Sequence, residues 1–209
     1  MTEDLRSACA ALVALKDMDA PSTLPDDWLY WALPFCPLIQ YNFKAAVAEF
    51  VHAEHIVSCT RRSLLEHSIE PSRAAELMDG SDGFVTNEQR FHDQAPHQVR
   101  IGTLPLYCAR EGKNRVALFK STGRMMHAFV TPLDFPPAET IKLVRTWPYR
   151  TWQAVCEGRI LDVPCQQSLN LLLVYGVRIQ SGYRFDLLAR RRVIRERRAM
   201  LAREKAFER

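Results

Sequence analysis

Five consecutive residues, Glu111-Gly112-Lys113-Asn114-Arg115, bring together the groups that phosphate chemistry needs. Lys113 and Arg115 supply cationic donors, and the planar guanidinium of arginine matches two phosphate oxygens at once. Gly112 lets the backbone approach a ligand closely. Asn114 can hydrogen-bond a phosphate or cap a helix, and Glu111 can orient water or touch a metal ion. On these grounds the catalytic candidates are Glu111, Lys113 and Arg115, and the phosphate-binding candidates are Gly112, Lys113, Asn114 and Arg115. A plain solvated strand-to-helix turn with a capping Asn114 accounts for the same residues equally well.

The flanking segments are those that would position such a turn. Leu104 to Ala109 is a short apolar run, which predicts a buried strand, and Gln98 to Ile101 predicts another before it. Val116 to Lys120 begins a helical segment that Gly123 closes, and Met126 to Thr131 is a further apolar run stopped by Pro132. Strand, turn, helix and strand in this order put the turn's free amides at a helix N-terminus, where an anion binds. The chain carries no G-x-x-x-x-G-K-[ST], G-x-G-x-x-G, H-E-x-x-H or G-x-S-x-G pattern, so common nucleotide-binding and hydrolase folds have no direct support.

Gly112 to Arg115, the helical residues Val116 to Lys120, Gly123 and the strand Ala128 to Thr131 together resemble the phosphate-binding unit of the ParB/sulfiredoxin superfamily. The similarity covers about 30 of 209 residues. Lys113 and Asn114 stand where that superfamily commonly has acidic or histidine residues, and its upstream Gly-x-x-x-Pro box has no clear copy. In size and layout the chain resembles plasmid-borne fertility-inhibition proteins of the Osa type more than a chromosome-partition ParB. The resemblance implies an α+β fold with a ParB/sulfiredoxin-like core over about 80–185. It also implies ATPase and DNase activity, ATP or another nucleoside triphosphate with Mg²⁺ as cofactors, and interference with DNA transfer through a type IV secretion system. DNA and a secretion or coupling-protein component would be the partners. The alternative is a non-catalytic adaptor or inhibitor of a secretion or replication protein, with the turn kept as scaffold. A sulfiredoxin-like thiol reductase is disfavoured because Cys108 falls four residues before Gly112 and reads as a buried apolar side chain.

Composition bounds the rest. An apolar fraction of 47% with 25% charged residues suits a globular protein with one sizeable core. No segment approaches the roughly 20 apolar residues of a membrane span. The six cysteines are scattered and the N-terminus lacks a basic leader, which predicts a reduced, cytoplasmic chain. The net charge of +4 is uneven: residues 190–209 hold nine Lys or Arg against three Glu, leaving about −2 for the first 189. The tail, from Asp186 onward, therefore predicts a long basic helix, with Arg190, Arg191, Arg192, Arg195 and Arg198 as candidate nucleic-acid contacts.

Residues 1–79 read as a helical N-terminal part. Leu5, Ala8, Cys9, Leu12 and Val13 predict a helix over 4–17, and Pro25-Asp26-Asp27 the start of a second. Asn42 predicts the cap of a third helix carrying Phe43, Ala46, Val47, Phe50 and Val51, on which His52 and His55 sit three apart. That spacing suits a metal pair, but interfacial histidines explain it better. Further helices are predicted at 63–67 and 71–78, and the Asp79 to Gly83 turn cluster predicts the boundary with the core. The polar stretch 84–96 reads as an active-site loop or a solvated connection. After Pro132, helices are predicted from Ala138 to Trp147, around Trp152 to Cys156, and from Pro164 to Gly176, followed by a hairpin turning at Ser181-Gly182.

Overall fold

The first sheet is built around β5, Met125–Leu133, whose residues Met126, Ala128, Val130 and Thr131 are buried. A strand covered on both faces needs no apolar–polar alternation, and β5 shows none. The structure is a computed structural model that describes residues 2–21, 23–37, 39, 45–58, 96–110 and 113–207. On one side β5 pairs antiparallel with β1 (Val47–His52), and on the other parallel with β3 (His97–Ile101). β4 (Tyr107–Ala109) then pairs antiparallel with β3, and the two-residue β2 (Ile56–Val57) parallel with β4. The order is β1-β5-β3-β4-β2.

A second, four-stranded sheet runs β8-β7-β6-β9. It comprises β6 (Lys142–Trp147), β7 (Trp152–Cys156), β8 (Arg159–Val163) and β9 (Arg178–Phe185). The first three form an antiparallel meander, whereas β9 joins β6 in parallel after the crossover helix α4 (Gln166–Tyr175). Here α1 is Glu3–Asp19, α2 is Pro25–Ala32, α3 is Lys113–Thr122 and α5 is Ala189–Phe207. The chain is thus α+β.

One core joins both sheets. Cys9, Leu12 and Val13 of α1, Trp28 and Leu29 of α2, Val99 and Ile101 of β3, Leu143 of β6, and Leu171 and Leu172 of α4 belong to a single buried cluster. The Ser168 hydroxyl donates to the Ala32 carbonyl, tying α4 to the end of α2. A smaller cluster fills the other face of the first sheet: Val116 and Phe119 of α3 pack on Tyr107, Ala109, Met126, Ala128 and Val130.

The predicted helices at 4–17, from Pro25, from Val116 and from Pro164 are present, and each has a local reason. Thr2 Oγ1 accepts from Leu5 N at 3.4 Å at the head of α1, Pro25 opens α2, and Gly123 (φ +64°) and Gly176 (φ +106°) end α3 and α4 in the left-handed conformation. β5 runs through Pro132 instead of stopping there.

Four expectations are corrected. Residues 47–57 are strands β1 and β2 around a 3-10 turn, because Val47 to His52 find a full antiparallel partner in β5. Lys142–Trp147 is β6 and Trp152–Cys156 is β7, each pairing on both sides where helices were predicted. Gly182 (φ +104°) does not turn a hairpin. It sits inside β9, where Ile179 and Tyr183 face Leu143 and Arg145, so β9 carries two extra residues in a bulge. The proposed division at residue 79 is crossed by the first sheet, since β1 and β2 pair with strands from beyond it. The expected cap at Asn42, the helices at 63–67 and 71–78, the Asp79 to Gly83 boundary and the polar stretch 84–95 lie outside the described residues.

Candidate phosphate and nucleic-acid interface

β4 and β3 lead directly to the turn. Gln98 pairs with Ala109, and Arg110 N donates to the His97 carbonyl at 2.9 Å. α3 then starts at Lys113, so the predicted strand and helix follow one another as read. Arg115 lies in the first turn of α3 and is half-buried, next to the buried Val116. Glu111 and Gly112, and the side chains of Lys113 and Asn114, lie outside the described residues.

Two ion pairs join residues flanking the turn to the N-terminal helices. The Arg110 guanidinium contacts Asp26 of α2 at 3.4 Å, and Lys120 reaches Asp17 of α1 at 2.6 Å, so both ends of the segment are pinned to the N-terminal helices. Two buried polar residues at its base, His97 and Gln98, were not singled out by sequence reasoning. Their signal was weak, because polar residues entering a short strand usually face solvent. Deeper in the same sheet Arg100 grips Glu49 with Nη1 at 3.0 and 3.1 Å from the two carboxylate oxygens. Beside them burial, reinforced by Glu49, pushes the Tyr107 hydroxyl up from its usual range.

The five tail arginines separate. Arg191, Arg195 and Arg198 recur at i, i+4 and i+7 on α5 and line an open groove of about 570 Å³ with Leu188 and Ile194. Arg190 is exposed. Arg192 is committed elsewhere: its Nε lies 2.8 Å from Asp162 Oδ2 and its Nη2 2.6 Å from Asp186 Oδ2. Gln153 Nε2 completes the cluster, donating to Asp162 at 2.8 Å and Asp186 at 3.0 Å. The Arg192 hydrogen bonds hold the Asp186 carboxyl well below the usual carboxylate range, and the two aspartates hold Arg192 above its own. Arg192 is therefore a fastener between α5 and the second sheet, and its charge is offset by two carboxylates. It also borders the groove of Arg191, Arg195 and Arg198, with its guanidinium already engaged by the two carboxylates.

Cys9, Cys36 and Cys108 are buried thiols not poised for chemistry. Cys108 is buried in β4, and burial pushes the Cys9 and Cys36 thiols up to about 12, with Asp26 adding to the effect at Cys36. His52 and His55 do meet, with ring centroids 5.5 Å apart, but at a strand end and a 3-10 turn. Among the described residues no group of three or more His, Cys, Asp or Glu is placed to hold a metal by protein ligands alone. A Mg²⁺ bound chiefly through phosphate oxygens and water needs no such group. Comparison with family models, with curated proteins and with solved structures gives no match to this chain.

Proposed function

We propose that the protein binds the phosphates of a nucleotide or of DNA at the turn 111–115, in the manner of a ParB/sulfiredoxin-like core. The observation that carries this reading is the start of α3 at Lys113, directly after β4, with Arg115 in its first turn. Free amides at a helix start and a guanidinium there favour an anion for the same electrostatic reason. Lys113 and Arg115 would stabilise phosphoryl charge, Gly112 and Asn114 would line the phosphate, and Glu111 would serve as acid/base or contact Mg²⁺. Hydrolysis of ATP or another nucleoside triphosphate, metal-dependent cleavage of DNA, and fertility inhibition through a type IV secretion system follow from the resemblance. The arginine groove on α5 would hold the DNA backbone, giving affinity that falls steeply with salt.

The test is thermal unfolding with increasing ATP and Mg²⁺, alongside ATP hydrolysis and plasmid nicking, on the wild type and Arg115→Ala. The melting temperature should rise with ligand concentration in the wild type and fail to rise in the variant. Identical behaviour of the two proteins in all three assays overturns the reading. A non-catalytic adaptor is favoured by one observation: Leu187, Leu188 and Ile194 are exposed beside the arginines of α5. Co-purification of a secretion or replication protein, with no nucleotide effect, would establish it.

A further inference from the structure

The second sheet carries a feature that neither the turn nor α5 uses. Val163, Trp152, Arg145 and Tyr183 lie in one row across β8, β7, β6 and β9, and Trp147 and Phe185 form the next pair along β6 and β9. Exposure grows along the row. Val163 is in the core, Trp152 and Arg145 are half-buried, and Tyr183 is 62% exposed at the open β9 edge. Trp147 and Phe185 are 52% and 66% exposed, yet stacked on each other with centroids 5.8 Å apart at 23°. The Arg145 guanidinium lies over the Trp152 ring at 5.7 Å, and its buried Nε has no hydrogen-bond partner. The bulge at Gly182 sets Tyr183 opposite Arg145 and Phe185 opposite Trp147.

The charge around the platform has one sign. Arg145 shares the face of the rings and Arg150 lies in the β6–β7 turn, while Lys142, Arg178 and Arg184 alternate to the other face of the same two strands, and residues 142–156 and 178–185 contain no Asp or Glu. None of these five forms an ion pair among the described residues. A second copy of the same chain would bring like charge to like charge at this edge. A polyanion with flat apolar faces meets both halves of the surface: bases stack on exposed rings while arginines take phosphates. A duplex hides its base faces, so the rings select a single strand.

We infer that the β6–β9 face is a binding platform for single-stranded nucleic acid, with Trp147, Tyr183 and Phe185 stacking bases and Arg145 holding the backbone beside them. The chain leads from Phe185 through Leu188 straight into the arginine groove of α5, which would carry the strand onward. The inference deepens the nucleic-acid part of the proposed function and rests on that part alone, independently of the phosphate turn.

Fluorescence anisotropy with a labelled 20-nucleotide oligo(dT) and with a duplex of equal length tests it, at low and at physiological salt. The single strand should bind at least tenfold more tightly than the duplex, and tryptophan emission should be quenched on binding. Phe185→Leu and Tyr183→Leu should each weaken single-strand binding roughly tenfold, on the scale of one lost stacked base. Trp147→Phe should retain most of it, and Trp147→Leu should not. Unchanged far-ultraviolet circular dichroism and urea midpoints establish that the variants are folded. Equal or tighter duplex binding overturns the inference, as does single-strand binding unaffected by Phe185→Leu and Tyr183→Leu but abolished by Arg191→Ala/Arg195→Ala/Arg198→Ala. That last pattern leaves the α5 reading standing. Absence of binding to either nucleic acid at low salt removes both.

Discussion

At the scale of single residues, Arg192 shows how a charge run conceals two roles. Neighbouring arginines at 190 and 191 are exposed, while Arg192 bridges Asp162, which is almost fully buried, and Asp186. Arg192→Ala leaves two aspartates facing one another. Its cost should be about 3 kcal/mol, the low end for breaking a buried pair because the guanidinium is a third exposed. Arg190→Ala and Arg191→Ala should each change stability by less than about 0.5 kcal/mol, and urea midpoints decide between the two patterns. A second residue-scale expectation concerns His55, whose pKa burial lowers from its usual value. The folded state then binds its proton less readily than the unfolded chain. His55 therefore leaves stability intact above the unfolded value of about 6.5 and erodes it as pH falls from there toward the folded value. His55→Gln should flatten that slope, measured as urea midpoints between pH 7.5 and 5.

At the scale of elements, glycines with positive φ mark where backbone shape matters. At Gly102 (φ +55°) an added Cβ would stand 2.7 Å from Phe135 Cβ, so strain and overlap combine. Gly102→Ala should destabilise by about 1–3 kcal/mol, the range for forced packing, read as a lower thermal midpoint. Gly182 has open space around it, and its alanine variant meets only the φ penalty. The same scale explains what could be read from the residues. α1 announces itself through the spacing of Leu5, Ala8, Cys9, Leu12 and Val13, and α2, α3 and α4 through Pro25, Gly123 and Gly176, signals that lie within or beside each element. β1, β6 and β7 do not, because their apolar residues recur at spacings that also fit a helix and the deciding partner is distant. Val47 is exposed in β1 and Leu143 buried in β6 according to which strands cover them, which no local window contains. At the candidate site the order β4, turn, α3, β5 was legible from Gly112 and Gly123. The duty of Arg192 was not, since Asp162 is 30 residues away.

At the scale of the whole molecule, one buried cluster draws on α1, α2, α4 and strands of both sheets. Unfolding should accordingly be one cooperative transition, with coincident circular dichroism and fluorescence curves in urea. Trp28→Ala, at the centre of that cluster, should lower stability by about 3–5 kcal/mol while keeping the curves coincident. Separate transitions would show that the sheets are energetically distinct. The described residues include no helix long and apolar enough to cross a membrane.

The antiparallel pair of β1 and β5 has a consequence for how the chain is made. Val47 meets Val130, about 80 residues later. During synthesis at roughly 5–20 residues per second, β1 therefore waits on the order of 4–16 s before its partner exists. Until then Val47, Phe50 and Val51 belong to an unmatched strand on a nascent chain, while the α1 and α2 segments have already emerged. The first sheet is completed late, by closure of a long loop. Refolding of the full chain should fall in the millisecond-to-second range of non-local topologies, and the nascent strand is the point at which a holding chaperone would act.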